Sequence, residues 1–189
     1  FMPEIAHVTV LDKKDPEEGK KTNYVQADAN NIPFGDGSFD LVISSDTLEH
    51  IPEDERQNVI SEMFRVSNRF VIIGAPFNSV MTQKAEEIIN EKYKNITGQD
   101  HPFLIEHQQY GLPDQHELEQ YLSEKNYSYL KLGEGNINNW MLAQLNQMGK
   151  LGENEVTENI FNRYFNEHLF ELGNFRQPTY RTVFCVDKQ

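Results

Sequence analysis

Residues 23–52, NYVQADANNIPFGDGSFDLVISSDTLEHIP, decide how the rest of the chain is read. Asn23 to Ala27 has the length and composition of a short strand, and it runs into an acid, Asp28. A polar loop follows, punctuated by Pro33, Gly35 and Gly37. Phe39 to Ser44, FDLVIS, is a nearly continuous apolar run bounded by turn residues, the pattern of a strand covered on both faces in a parallel sheet. Ser45-Asp46 and then LEHIP come directly after it. Two strands that each deliver polar groups at their carboxyl ends are what an α/β sheet uses to hold a ligand.

Working outward, Pro52 and the acids Glu53, Asp54 and Glu55 open a helix. Its apolar face is Val59, Ile60, Met63 and Phe64. Arg69 to Ala75 is the next buried-type strand, so the unit is strand, helix, strand with a right-handed crossover. Strands 39–44 and 70–75 are therefore expected to be parallel neighbours. Upstream, Val8 to Leu11 is a strand ending at Asp12, and Lys13 to Lys21 reads as a charged loop. Downstream, Ala85, Ile88, Ile89, Tyr93 and Ile96 mark an amphipathic helix with Glu and Lys opposite, stopped by Gly98. A loop rich in His and aromatic residues spans 100–113. Asp114 and Glu117 form a capping box for a helix through Leu118, Tyr121 and Leu122, with Asn126 as its stop. Tyr127 to Leu132 alternates as a strand, and Gly133-Glu134-Gly135 reads as a turn after it. Helices are expected at Trp140–Met148 and Val156–Leu172, the second with an apolar stripe. Thr179 to Val186 is a final strand by its β-branched and aromatic content.

The chain of 189 residues is sized for one domain, 1–189. Its formal net charge of −13 repels phosphate backbones, so nucleic acid is not an expected partner. The mean hydropathy is −0.66 and no apolar run approaches a membrane span. Cys185 is the only cysteine, which excludes an internal disulfide. A cytoplasmic location is the expectation that follows.

The string ADANNIPFGDGSFDLVISSDTLEHIP resembles the middle of the class I S-adenosylmethionine-dependent methyltransferases, in their small-molecule, type 11-like branch. An acid after the third strand, an approach of the form LPF…SFD to the fourth, and LEH after it occur here in that order. The resemblance covers residues 8–76. It implies a Rossmann-like, mostly parallel sheet with an antiparallel last strand beside the fifth, helices on both faces, and helical insertions. It also implies S-adenosyl-L-methionine as cofactor. Asp12 would anchor the ribose hydroxyls, Asp28 the adenine amino group and the Ala29 N–H a ring nitrogen, with Ser45 and Asp46 completing the cofactor side. Ile32 and Phe34 would wall the adenine or pack under the loop. The family's first strand and Gly-rich turn would precede these residues. The Gly-x-Gly triplets at 35–37 and 133–135 do not substitute for them. An additional N-terminal segment is expected to fill the place between strands 8–11 and 39–44.

Methyl transfer asks little of a protein beyond alignment, exclusion of water and, for some acceptors, removal of a proton. In the resembled family the base comes from inserted segments. Segment 77–113 is the expected lid over the methyl group, and 137–173 a helical insertion. His107 is the preferred base because imidazole titrates near neutral pH. Tyr110 is a second polar contributor, and His50 the next residue to consider. No hydrolase nucleophile set or P-loop is present. Asp100, His101, Glu106, His107 and His116 match no helical metal-ligand spacing, so no metal is expected. The function expected is methyl transfer to a small-molecule, saccharide or lipid-linked acceptor. The alternative is a non-catalytic methyltransferase-like binding or scaffold module that lacks the Gly-rich cofactor turn.

Overall fold

The apolar runs form the strands that their composition predicts, and the sheet is built around the 39–75 unit. The computed structural model describes residues 7–14, 23–149 and 163–189. In chain order these are β1 (Thr9–Asp12), β2 (Asn23–Gln26), β3 (Phe39–Ser45), a single 3-10 turn (Leu48–His50), α1 (Glu53–Val66) and β4 (Ser67–Ala75). Next come α2 (Val80–Thr97), α3 (Pro102–Tyr110), α4 (Gln115–Glu124), β5 (Ser128–Asn136) and α5 (Ile137–Gly149). A π turn (Phe165–Leu169), α6 (Phe170–Gly173) and β6 (Thr179–Asp187) complete the described chain. Parts of two expected elements, the charged loop at 15–21 and the helix at 156–162, lie outside the described residues.

The larger sheet has the order β3-β4-β6-β5. β3 and β4 are parallel neighbours, as the crossover requires, with Val42 opposite Val71 and Ile43 opposite Ile72. β6 runs antiparallel to both β4 and β5, so three of the four strands share one direction. β1 and β2 pair in parallel as a separate ribbon. β1 and β3 do not pair. A cavity of about 310 Å³ separates them, lined by Thr9 and Leu11 on one side and by Leu41 to Ser45 on the other.

One sheet face carries the core. Val71, Ile73, Phe184 and Val186 lie on it, fully or almost fully buried, against Val59, Met63 and Phe64 of α1 and Leu118 and Leu122 of α4. The opposite face presents Leu41, Ile43, Phe70, Leu130 and Leu132, which are 40–58% exposed. Ile32 packs into the main core and Phe34 meets Phe39 edge-on at 4.9 Å, and both also line the cavity between β1 and β3. A second layer, α2, α3 and α5, packs through Ala85, Ile89, Leu104, Ile137 and Met148 beside Tyr180 of β6.

Three sequence expectations change. The 100–113 loop contains a helix, α3: the His101 ring accepts from the Leu104 N–H, Pro102 takes the first turn, and Gly111 ends it with φ +72°. The triplet 133–135 is not a turn but part of β5, which runs on to Asn136. A Cβ at position 133 would sit 2.6 Å from Thr179 Oγ1, so the close strand contact needs a glycine there. Finally, α2 is rotated from its apolar pattern. Glu86 and Asn90 are buried, whereas Ile88 and Ile96 are 41% and 45% exposed.

Two arginines of α1 fix the segments around it. Arg56 Nε donates to the carbonyls of Leu48 and Ile51, each at 3.0 Å, and its Nη2 donates to the carbonyls of Tyr110 and Gly111. Arg65 donates to the carbonyls of Ile32 and Phe34 and pairs with Glu62 and Asp36. Arg56 is 6% exposed, and its removal leaves four carbonyls short of a donor. Arg56→Ala is expected to lower the unfolding free energy by about 2–4 kcal/mol, read from the urea midpoint at unchanged slope.

Candidate functional site

The carboxyl ends of β1, β2 and β3 carry the acids and histidines that the sequence singles out. Asp12 ends β1 exposed, and its Oδ1 accepts from the Lys14 N–H at 2.9 Å. Its carbonyl accepts from the Ala27 N–H at 3.0 Å, which carries the pairing of β1 and β2 up to the loop with Asp28. The Asp28 carboxylate accepts from the Asn30 N–H at 2.9 Å and pairs with Lys13 at 3.0 Å. The Asn30 N–H and then Lys13 hold its pKa below the usual carboxylate range, so it is a stable anion. The loop does not float. Asn58 donates to the Asn30 carbonyl at 2.8 Å, and Glu62 accepts from the Ile32 N–H at 2.9 Å.

Three of the predicted cofactor residues, Ala29, Ser45 and Asp46, are divided between two cavities, whose linings do not include Asp12 or Asp28. Ala29 and Ser45 line the 310 Å³ space between β1 and β3. Asp46 faces a second cavity of about 410 Å³, together with Glu49, His50 and His107. Asp46 is not free there. It sits in the left-handed region with φ 50° and pairs with Arg181, which also donates to Glu134 at 3.2 Å. A non-glycine residue in that region is a strained conformation that surrounding contacts must hold. The Arg181 pair and the Asp46 N–H bond to the Gly74 carbonyl at 2.9 Å do so.

His50 and His107 come together across 57 residues of sequence, with ring centroids 4.8 Å apart. His107 is 6% exposed, and its Nδ1 lies 2.9 Å from Glu86 Oε1. The same oxygen accepts from the Tyr180 hydroxyl at 2.7 Å. Burial, and then the Glu86 charge, push the Tyr180 pKa up, so Tyr180 stays a donor. Its ring stacks on Trp140 at 3.8 Å and 11°. His50 Nδ1 lies 2.8 Å from Glu106 Oε2. Glu49 is 1% exposed, and its burial, with the Asp46 charge adding to it, pushes the carboxyl up to about 7. Glu49 Oε2 and His107 Nε2 are both buried with no hydrogen-bond partner among the described residues.

Tyr110 does not share this cavity. Its carbonyl accepts from Arg56 at 2.9 Å, which makes the end of α3 a backbone anchor. Glu86, Tyr180, Trp140 and Arg181 are the site residues that the sequence reading missed. For Glu86 a signal existed. Thr82, Ala85, Glu86, Ile89 and Asn90 recur at helical spacing on one buried face. Tyr180, Trp140 and Arg181 carry no comparable local signal.

A family profile described as "Methyltransferase domain" matches residues 4–69. The norajmaline N-methyltransferase of Rauvolfia serpentina is 40% identical over 48 residues, 25% of this chain and 16% of that protein. Among solved structures, a methyltransferase of Archaeoglobus fulgidus superposes with a TM-score of 0.52 at 17% identity, over 95% of this chain and 75% of that one. One from Thermotoga maritima gives 0.53 at 13% identity, over 89% of this chain and 65% of that one. The chain thus spans less than two thirds of the Thermotoga protein and a far smaller part of the plant enzyme. Residues 4–69 thus resemble a methyltransferase domain, and the fold is the one these methyltransferases share.

Proposed function

We propose that the chain is an S-adenosylmethionine-dependent methyltransferase acting on a small-molecule acceptor. The observation that carries the proposal is the pair of carboxylates, Asp12 and Asp28, at the carboxyl ends of adjacent parallel strands. Asp12 takes the ribose hydroxyls, Asp28 the adenine amino group, and the Ala29 N–H a ring nitrogen. Lys13 holds the Asp28 carboxylate in the structure described here, but the pair is exposed, at 81% and 43%, and yields readily to a ligand.

The acceptor end is the 410 Å³ cavity. Its volume lies in the range of small-molecule sites. Phe103, Leu104 and Trp140 give it apolar walls, while Glu49, His50 and His107 give it polar groups. Leu104 and His107 belong to α3, which with α2 supplies the lid. Methyl transfer then needs the acceptor held in line with the sulfonium and shielded from water. His107 is fixed by Glu86 through Nδ1, and its Nε2 is buried without a hydrogen-bond partner among the described residues. The short match to the norajmaline N-methyltransferase of Rauvolfia serpentina supports a small acceptor. The net charge of −13 argues against a nucleic acid substrate.

Two measurements test this reading. In calorimetric titration, S-adenosylmethionine and S-adenosylhomocysteine should bind, and Asp28→Ala should weaken binding about tenfold or more. Lys13→Ala should not weaken it, because Lys13 competes with the ligand for Asp28. Equal losses in the two variants, or no binding by the parent chain, would contradict the assignment and favour the non-catalytic reading. With an acceptor in hand, His107→Gln should lower turnover about a hundredfold while S-adenosylhomocysteine affinity stays within twofold.

A further inference from the structure

We infer that Glu49, His50 and His107 form a binding site for a divalent first-row transition metal ion of the Zn²⁺ class. Each residue offers one ligand atom, and these atoms all lie within 4.8 Å of one another. Two ligands 2.1 Å from a common ion can be about 4.2 Å apart at most, so small side-chain rotations close the set around it. Two imidazoles and one carboxylate form a donor set for such ions, with positions left open; Mg²⁺ and Ca²⁺ prefer all-oxygen sites.

The surroundings give the stronger argument. Each histidine has its Nδ1 within hydrogen-bond distance of a carboxylate: His50 to Glu106 at 2.8 Å and His107 to Glu86 at 2.9 Å. An ionised carboxylate only accepts, so Nδ1 carries the proton and Nε2 keeps its lone pair. Carboxylate-oriented imidazoles with a free Nε2 are the arrangement in which proteins hold metal ions. Glu86 is itself held by the Tyr180 hydroxyl at 2.7 Å, so the His107 ring is fixed from two layers of side chains. His107 Nε2 and Glu49 Oε2 are then buried polar atoms without a partner, each costly to leave unmade. One cation placed among them satisfies both. Arg181 is the neighbouring positive charge, and it is already answered by Asp46 and Glu134.

No local motif announces this set. Glu49 and His50 come from the turn after β3 and His107 from α3, and only the docking of α3 on that turn joins them. The ion's open positions would take an acceptor oxygen or nitrogen, and His107 would act on the acceptor through the ion. That last step rests on the transferase reading; the binding of the ion does not.

The test is a titration of the chelator-stripped 189-residue chain with Zn²⁺ by calorimetry and with Co²⁺ by visible absorption. One ion per chain is expected, with a dissociation constant in the micromolar range or tighter, and a Co²⁺ spectrum unlike that of the hexaaqua ion. His50→Ala, at a partly exposed position, and Glu49→Gln should each weaken binding at least tenfold. Glu106→Gln, which touches only His50, should weaken it about 10–100-fold. His116→Ala should change nothing. Circular dichroism of each variant establishes that it is folded. Absence of Zn²⁺ binding, or binding indifferent to His50→Ala and Glu106→Gln in folded protein, overturns the proposal. S-adenosylhomocysteine titrated into the same samples separates the two readings. Metal binding without it keeps the ion site and removes the transferase reading, while the converse removes the ion site alone.

Discussion

The packing of α2, α3 and α5 around β6 depends on one buried carboxylate. Glu86 is 4% exposed, and a charge at that depth persists only where donors meet it. It meets two, the His107 ring from α3 and the Tyr180 hydroxyl from β6. Three separate elements are thus joined at one oxygen atom. The consequences spread outward. α2 must turn its Glu86 and Asn90 face inward, and Asn90 then accepts from the His101 N–H at 2.7 Å and sets where α3 begins. Tyr180 is held where its ring can stack on Trp140 of α5. The imidazole of His107 is left with one orientation and one free nitrogen.

α1 is the common reference for the two halves of the site. At its first turns Arg56 ties down the 3-10 turn that bears Glu49 and His50, and the end of α3. At its last turn Arg65, with Glu62, ties down the 32–38 loop that follows Asp28. The loops proposed to meet cofactor and acceptor are therefore positioned from the same helix, buried through Val59, Ile60, Met63 and Phe64. Guanidinium groups suit this task. Each presents several donors in a fixed plane, so a single side chain can satisfy several carbonyls at once. Loops held through their backbone in this way can carry varied side chains without losing their place.

The space between β1 and β3 is the least closed part of the fold. Each strand is paired on one side, β1 with β2 and β3 with β4, and between their other edges lies the 310 Å³ cavity. Its lining is largely apolar, from Leu11 to Leu41, Val42 and Ile43. The same parity of β3 that brings Leu41 and Ile43 to the outer sheet face leaves them exposed there. Ala29 and Ser45, which are proposed for the cofactor, lie on this side of the molecule.

The sequence by itself determined the strands, α1, and the parallel pairing of β3 with β4. Continuous apolar runs and a short crossover leave few other arrangements. It also determined that Asp12 and Asp28 each follow a strand, while the structure showed that the two strands pair. It placed His107 and His50 among the candidates without showing that they meet. What only the tertiary structure decided is the docking of α2, α3 and α5 over the end of β3. Periodicity put Ile88 and Ile96 inside and Glu86 outside, since apolar area is the signal it reads. The partners that reverse this, His107 and Tyr180, lie 21 and 94 residues away along the chain. A buried polar residue is specified by its partner rather than by its neighbours in sequence, and so Glu49 and the role of Tyr180 became legible only once the chain was folded.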